Sequence, residues 1–234
     1  MTAGRRTRAR RRRVVSATVI AGAGLLAASL SARPGSGRFY LLTTGLAATW
    51  AVGALGSGAV PLAAHDPGSV RPRAVLLPVL TGAGAFGAFY AAARVARHVP
   101  ALHQAIGGVL HYVEDGSTPL VLLVASANAV AEELYFRGAL WSSVETSHPL
   151  TTTTLVYAAT TTVTRNPALV LAGTVTSLLF GLQRRASGSV VAPAITHVTW
   201  SLLMLHYLPP LFRPRGQATK GPRGRGWPEP SFSG

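Results

Sequence analysis

Long apolar stretches without charge recur along the chain, separated by short breaks rich in Gly, Pro and Arg. The first of them, Val14–Ala32, contains 19 residues and no charged side chain. A helix of that length, at about 1.5 Å per residue, crosses a hydrocarbon layer of roughly 30 Å. The same pattern predicts further membrane-spanning helices at Phe39–Val60, Ala74–Ala93, Pro119–Trp141, Leu150–Thr164, Ala168–Leu182 and Val190–Leu208.

One more apolar stretch, Pro100–Val113, is too short and too polar to span a membrane, and we expect it to be an interfacial helix. The predicted fold is an all-α polytopic membrane helix bundle with about 7 transmembrane helices, within a range of roughly 6–8. Val14–Ala32 could instead be the core of a cleaved signal peptide, because Leu30-Ser31-Ala32 is a small-residue end. It is longer than the usual core of such a peptide, which favours a retained helix.

Composition divides the chain into four parts. Residues 1–13 form a basic cytoplasmic arm that we expect to be disordered. Residues 14–113 contain the N-terminal transmembrane helices and the interfacial segment. Residues 114–208 contain a second helix bundle, and residues 209–234 form a basic tail, rich in Gly and Pro, that we expect to be disordered.

The charge content supports a membrane protein. Only 12% of the 234 residues are charged, against about 25% in a typical soluble domain. There is no cysteine, which excludes disulfides and a Cys-ligated zinc site. The net charge of +15 is concentrated at the ends, with seven arginines in residues 5–13 and five Lys or Arg in residues 213–225. Such flanks are typical of cytoplasmic segments that contact anionic lipid.

These charges also bear on partners and orientation. No aromatic residues interleave with the N-terminal arginines, so we predict no nucleic-acid partner. We expect an integral protein of a bacterial plasma membrane with a cytoplasmic N-terminus. An odd number of spans would place the basic C-terminal tail outside, against the positive-inside rule, so the span count stays open.

Acidic side chains are scarce, and two of the chain's seven lie side by side inside an apolar stretch, at Glu132 and Glu133. On a soluble helix such residues would usually form a solvated face. At a bilayer centre a charge costs roughly 2.5–3.5 kcal/mol, which makes it a functional-site hypothesis by default. Arg137 lies one helical turn after Glu133 and can pair with it. Glu132 points about 100° away and has no such local partner.

His197 is a second chemical candidate, in the middle of the last predicted span. Ser201 follows four residues later, so the imidazole and the hydroxyl share a helix face. The carboxylate of Glu132 could activate a water as a general base, while His197 and Ser201 donate hydrogen bonds to a developing oxyanion. Glu132 and His197 could also bind zinc, although a catalytic zinc usually takes three protein ligands.

The segment between these candidates is rich in threonine, with seven threonines in residues 151–162. A Thr hydroxyl can donate to the backbone carbonyl four residues earlier, so such a segment can remain helical. We predict that these threonines line the interior of the bundle.

Two motifs carry a resemblance to a known family. The run Glu132-Glu133-Leu134-Tyr135-Phe136-Arg137-Gly138 resembles the first signature of the CPBP family, the CAAX-protease and bacteriocin-processing (ABI) type of intramembrane protease. The segment Gly188–Ser201 is similar to the last signature, a His followed four residues later by Asn or Asp, with Ser201 at that second position. The spacing of the two motifs also fits, and the resemblance covers about residues 119–208.

The resemblance implies an intramembrane peptidase that hydrolyses a peptide bond of a membrane-associated peptide or protein. Residues 114–208 would then be the catalytic bundle. Glu132 would be the catalytic carboxylate, Arg137 would hold Glu133, and His197 would serve the oxyanion or a metal. Catalysis would use either zinc, bound by Glu132 and His197, or a water activated by glutamate alone.

The middle signature of the family, an aromatic residue, three residues and then His, is only half present. Tyr157 matches, but position 161 is Thr, and Asn166 is the nearest alternative polar group. This departure favours an alternative function, a catalytically degenerate member that binds or chaperones another membrane protein. A proton-coupled transporter would use the same Glu, Arg and His set, but it predicts inverted repeats that the two halves of the sequence do not show.

Overall fold

Helices account for most of the residues that the structure describes. A computed structural model describes residues 3–58, 60, 72–144 and 148–213, and these contain no strand. The predicted all-α class is therefore confirmed for this part of the chain. In chain order the helices are α1 (Ala3–Ser29), α2 (Gly37–Gly56), α3 (Pro72–Ala96), α4 (Pro100–Glu114), α5 (Thr118–Ser143), α6 (Pro149–Thr162), α7 (Pro167–Ser187), α8 (Val191–Tyr207) and the single turn α9 (Pro209–Phe212).

The helix with the glutamate pair, α5, lies at the centre of the bundle. Helices α2 and α8 both pack on it, α1 packs on α2, α3 packs on α8, and α6 packs on α7. The core beside α5 is aromatic: Trp50 of α2 contacts the rings of Tyr135 and Phe136 at centroid distances of 4.8 and 5.1 Å. The Tyr135 hydroxyl donates a hydrogen bond to the carbonyl oxygen of Val15 at 2.5 Å, which ties α5 to α1.

Four helical segments of the described chain are long and apolar enough to cross a membrane, judged by length and composition: Ala9–Ser29, Gly37–Gly56, Arg73–Ala96 and Thr118–Ser143. They coincide with the first four predicted spans. The other three predicted spans coincide with α6, α7 and α8, which are helical as expected. The number of membrane crossings, about seven, stays a prediction.

Both predicted disordered ends differ from expectation where the structure describes them. Helix α1 begins at Ala3, so residues 3–13 are helical, because Arg and Ala are good helix formers that extend the apolar helix behind them. At the other end, Pro209 and Phe212 of α9 are buried. They are held because Leu208 and Phe212 pack with Ala93 and Leu110. Residues 214–234 of the predicted tail lie outside the described residues.

Candidate active site

The central helix changes its geometry directly after the glutamate pair. Residues Leu134–Leu140 form a π-helical segment, and the α-helix resumes at Trp141. Residues 135–140 are all buried. Such π-helical segments are rare, occur inside α-helices and are frequent at functional sites. The wider turn therefore starts where the candidate catalytic residues lie.

The predicted ion pair between Glu133 and Arg137 is present. Arg137 Nη1 donates to Glu133 Oε1 at 3.1 Å, and both side chains are fully buried. Arg137 Nη2 donates to the carbonyl oxygen of Ser177 at 2.8 Å and to its hydroxyl at 2.9 Å. The guanidinium thus links α5 to α7 while it neutralises one carboxylate.

Aromatic rings enclose the Arg137 guanidinium. Its carbon lies 5.3 Å from the ring centroid of Phe180 and 5.4 Å from that of Tyr157, within the range of cation–π attraction. Arg184 Nε donates to the carbonyl oxygen of Arg137 at 2.9 Å. Glu133 Oε2 and Arg137 Nε are buried and have no hydrogen-bond partner among the described residues. Buried polar atoms without a partner cost free energy, so the presence of this ion pair is weak evidence for a contribution to stability.

His197 contacts the second glutamate and not the first. Its Nδ1 lies 3.0 Å from Glu133 Oε1, and its ring stacks on Phe180 at a centroid distance of 4.7 Å. With the carboxylate as acceptor, Nδ1 carries a proton and donates it. Nε2 is then an acceptor in the neutral ring and a donor in the doubly protonated ring. Glu133 therefore binds Arg137 and His197 together and fixes the orientation of the imidazole.

Glu132 has a partner from another helix. The hydroxyl of Tyr157, on α6, donates to Glu132 Oε2 at 2.6 Å. The prediction that Glu132 lacks a partner on its own helix holds, but the sequence did not indicate this contact across 25 residues. Glu132 is only partly buried, in contrast to Glu133.

An internal cavity of about 190 Å³ brings these residues together. Glu132 and His197, the two candidate reactive residues, both line this cavity. Thr160 and Thr161 form part of its wall, whereas Thr151 and Thr162 are exposed, so the predicted threonine-lined interior is confirmed only in part. The full lining is Leu26, Trp50, Glu132, Phe136, Tyr157, Thr160, Thr161, Thr164, Leu169, Ala172, Gly173, Thr176, His197 and Trp200.

The cavity threonines keep their helices intact in the way the sequence suggests. Thr160 donates its hydroxyl to the carbonyl oxygen of Val156 at 2.8 Å, and Thr176 donates to that of Ala172 at 2.9 Å. Their hydroxyl hydrogens are used within the helix, so the oxygens can act toward the cavity only as acceptors.

Two further residues considered at the sequence level lie outside the cavity wall. Ser201 is partly buried on α8, one turn beyond His197, and does not line the cavity. Asn166 caps α7, where its Oδ1 accepts from the backbone nitrogen of Leu169 at 3.1 Å and its Nδ2 donates to Ala105 at 2.7 Å. Asn166 therefore serves the fold and does not replace a histidine in the cavity.

Comparison with protein families identifies the segment that carries this site. The family model described as Rce1-like, type II CAAX prenyl endopeptidase Rce1-like, matches residues 114–203. Residues 114–203 are therefore similar to this family. These bounds include both glutamates, Arg137, His197 and Ser201. Comparison with curated proteins and with solved structures gave no match.

The Rce1-like segment agrees with the predicted CPBP resemblance. Together with the apolar helices, it indicates an integral membrane protein of the CAAX-protease kind. The middle signature can now be located in the structure. Tyr157 contacts Glu132, and Thr161 lines the cavity at the position where the resembling signature has His.

A zinc centre fits this Rce1-like site poorly. Within the described ranges, no three His, Cys, Asp or Glu side chains come together in a group that could hold a metal. Glu132 and His197 offer two ligands, whereas a catalytic zinc takes three from the protein. The hydroxyl of Tyr157 already occupies one oxygen of Glu132. Zinc binding by Glu132 and His197 therefore stays a prediction, and no step below depends on it.

Proposed function

We propose that this protein is an intramembrane peptidase in which Glu132 activates the water that hydrolyses a peptide bond. The observation that carries the proposal is the shared cavity, where the carboxylate of Glu132 and the imidazole of His197 line one space inside the helix bundle. Placing a carboxylate within a membrane-spanning helix costs free energy, and a protein that only binds a partner does not need one there. Similarity of residues 114–203 to the Rce1-like family supports peptide-bond hydrolysis as the reaction.

In the proposed reaction, Glu132 Oε1 takes a proton from a water in the cavity. Tyr157 binds Oε2, and Oε1 has no partner among the side chains and backbone that the structure describes. The water oxygen bonds to the carbonyl carbon of the substrate, and the carbonyl oxygen becomes an oxyanion. Glu132 then passes the proton to the leaving nitrogen as the C–N bond breaks. The immediate products are a carboxylic acid, which keeps the second proton of the water, and an amine.

Oxyanion stabilisation is assigned to His197. With Nδ1 directed at Glu133, a protonated imidazole presents its Nε2–H as a donor on the cavity side. This role requires the doubly protonated ring, because Nδ1–H already donates to Glu133. With Glu132 and Glu133 ionised, the two carboxylates then lie beside two cations, Arg137 and His197. The four groups are then neutral together, which limits the cost of burying them. Glu133 and Arg137 act on the reaction by holding His197 in position.

The remaining proposals follow from the same features. The substrate is a membrane-associated peptide or protein, because the cavity lies among helices apolar enough to cross a bilayer. Anionic lipid is the proposed partner of the basic arm, where Arg10, Arg12 and Arg13 are exposed. We place the N-terminus in the cytoplasm of a bacterial cell by the positive-inside rule.

A non-catalytic function is the second candidate. It is favoured by Thr161, which lines the cavity where the resembling signature has His and which offers a hydroxyl in place of a basic nitrogen. In that case the cavity would bind a segment of another membrane protein without cleaving it.

The test is cleavage of a defined peptide by the full chain in liposomes. The probe ends in a prenylated CAAX sequence, as the family's description suggests, and an unprenylated peptide serves for comparison. Glu132→Gln removes the base, and Glu114→Gln makes the same chemical change outside the cavity. Mass spectrometry identifies the bond that is cut.

The proposal predicts that wild type and Glu114→Gln cut one bond at similar rates. Glu132→Gln should be folded and slower by roughly 100-fold or more. Absence of cleavage by wild type would favour the non-catalytic function. Undiminished cleavage by Glu132→Gln would remove Glu132 as the base.

A further inference from the structure

Tyr157 is the one described side chain that donates a hydrogen bond to Glu132. The two residues come from different helices, α5 and α6, and their oxygens are 2.6 Å apart. Hydrogen bonds to an ionised carboxylate are shorter and stronger than neutral ones, and this distance lies in that class. The contact therefore fixes the Glu132 carboxylate relative to α6.

The ring of Tyr157 is itself held on several sides. The ring of Phe136 meets it edge-on at a centroid distance of 4.7 Å, and the guanidinium of Arg137 lies 5.4 Å from its centroid. Gly173 of α7 lies so close that a Cβ at that position would come within 3.0 Å of Tyr157 Cε1. A larger residue at 173 would push the ring, so the glycine leaves room for this placement of the tyrosine.

The consequence for Glu132 is geometric. A free glutamate has several side-chain torsions, whereas a general base must point at the proton it removes to within a few tenths of an ångström. The Tyr157 hydroxyl takes Oε2, which directs Oε1 to the water. No other described side chain provides this restraint, because Arg137 and His197 both bind Glu133.

We propose that Tyr157 is a positioning residue that holds the Glu132 carboxylate in its reactive orientation. The inference rests on the proposed function, since it assigns Tyr157 a part in that same reaction. Tyr157 keeps its proton throughout and forms no bond to substrate. Its effect is therefore on turnover and not on substrate binding.

Tyr157→Phe tests this, with Tyr135→Phe as the matched control. Both changes remove one tyrosine hydroxyl and its one hydrogen bond. The Tyr135 hydroxyl binds the backbone of Val15, away from Glu132. Cleavage of the prenylated CAAX peptide gives kcat and KM for each variant, and thermal unfolding in detergent gives its stability.

We expect Tyr157→Phe to lower kcat by roughly 10- to 100-fold, with KM changed by no more than about two-fold. Tyr135→Phe should lower the unfolding temperature with kcat within about two-fold of wild type. Equal kcat in the two variants would overturn the proposal. So would a loss that appears only in KM.

A second pair of variants moves the ring without removing the hydroxyl. Gly173→Ala places a methyl group against Tyr157, whereas a Cβ at Gly87 on α3 would meet nothing within 4 Å. We expect Gly173→Ala to lower kcat and Gly87→Ala to leave it unchanged. Unchanged kcat in both would contradict a requirement for the placement of the ring.

A thermodynamic cycle separates failure of this inference from failure of the proposed function. Unfolding temperatures of Tyr157→Phe, Glu132→Gln and the double variant report the contact without any activity. Losses that do not add would establish the coupling of Tyr157 to Glu132, and additive losses would overturn it. Wild type without cleavage would overturn the proposed function, and the positioning role with it, whatever the cycle shows.

Discussion

Loss of Arg137 should destabilise the protein more than loss of Glu132, the proposed base. Arg137→Ala removes the cation that neutralises Glu133, and both side chains are fully buried. The change also removes two hydrogen bonds to Ser177, at 2.8 and 2.9 Å. Glu133 then keeps only His197 as a partner in an apolar surrounding.

The size of the effect follows from the class of contact. Breaking a buried ion pair by removal of one partner costs about 3–5 kcal/mol. A folded chain of this length is stable by roughly 5–15 kcal/mol, so the loss is a large fraction of the total. At about 2–4 °C per kcal/mol, the unfolding temperature should fall by roughly 6–20 °C. Glu132→Ala loses one hydrogen bond from Tyr157, worth about 1–3 kcal/mol if the hydroxyl is left unpaired.

Folded yield and thermal unfolding in detergent measure both variants side by side. A third variant, Glu133→Gln with Arg137→Ala, should recover part of the stability, because the carboxylate that lost its cation is replaced by a neutral amide. Equal stability of Arg137→Ala and Glu132→Ala would refute the reasoning. A double variant as unstable as the sum of its single changes would show that the charge on Glu133 is not the cause.

Two further predictions concern packing and metal binding. Gly22→Ala should destabilise the contact of α1 with α2 by about 1–3 kcal/mol, because a Cβ there would overlap the Trp50 ring. Gly24→Ala is the control, since a Cβ at that position meets nothing within 4 Å. Equal unfolding temperatures of the two variants would contradict this packing. Thr161→His should bind zinc, because it adds a third ligand beside Glu132 and His197. Elemental analysis measures the zinc content of purified Thr161→His, Thr161→Ala and wild type. Equal zinc content in all three proteins would contradict the prediction.

Sequence reasoning predicts the helices and the ion pair of Glu133 with Arg137 well. The apolar stretches gave the helix order, because a membrane helix must be long, apolar and continuous. The pair of Glu133 and Arg137 follows from helical spacing alone. The combination of Glu132 and His197 in one site was predicted from their chemistry and supported by the family resemblance, since no local rule connects residues 65 positions apart.

The remaining features depend on packing that the sequence does not display. The π-helical segment from Leu134 to Leu140 has no composition signal in the sequence. Tyr157 is present in the middle signature, but only the approach of α6 to α5 brings its hydroxyl to Glu132. The predicted partner of His197 was an oxyanion or a metal, whereas the structure adds Glu133 on its Nδ1.

At the basic N-terminus, composition predicted disorder where the structure has a helix. The run of arginines in residues 5–13 indicated disorder by its charge, yet residues 3–13 continue the helix of the first apolar stretch. Charge repulsion in an exposed helix is weak at physiological salt, while a preformed helix adds residues at little cost. Composition therefore predicts the polarity of this segment but not its conformation.

The most direct test of the central claim is the initial rate of peptide cleavage by wild type and by Glu132→Gln in the same liposomes. Both proteins must be folded, as shown by their unfolding temperatures. The proposed mechanism predicts cleavage by wild type and a rate lower by roughly 100-fold or more in Glu132→Gln. Equal rates in the two proteins, or no cleavage by either, would contradict a peptidase that uses Glu132 as its base.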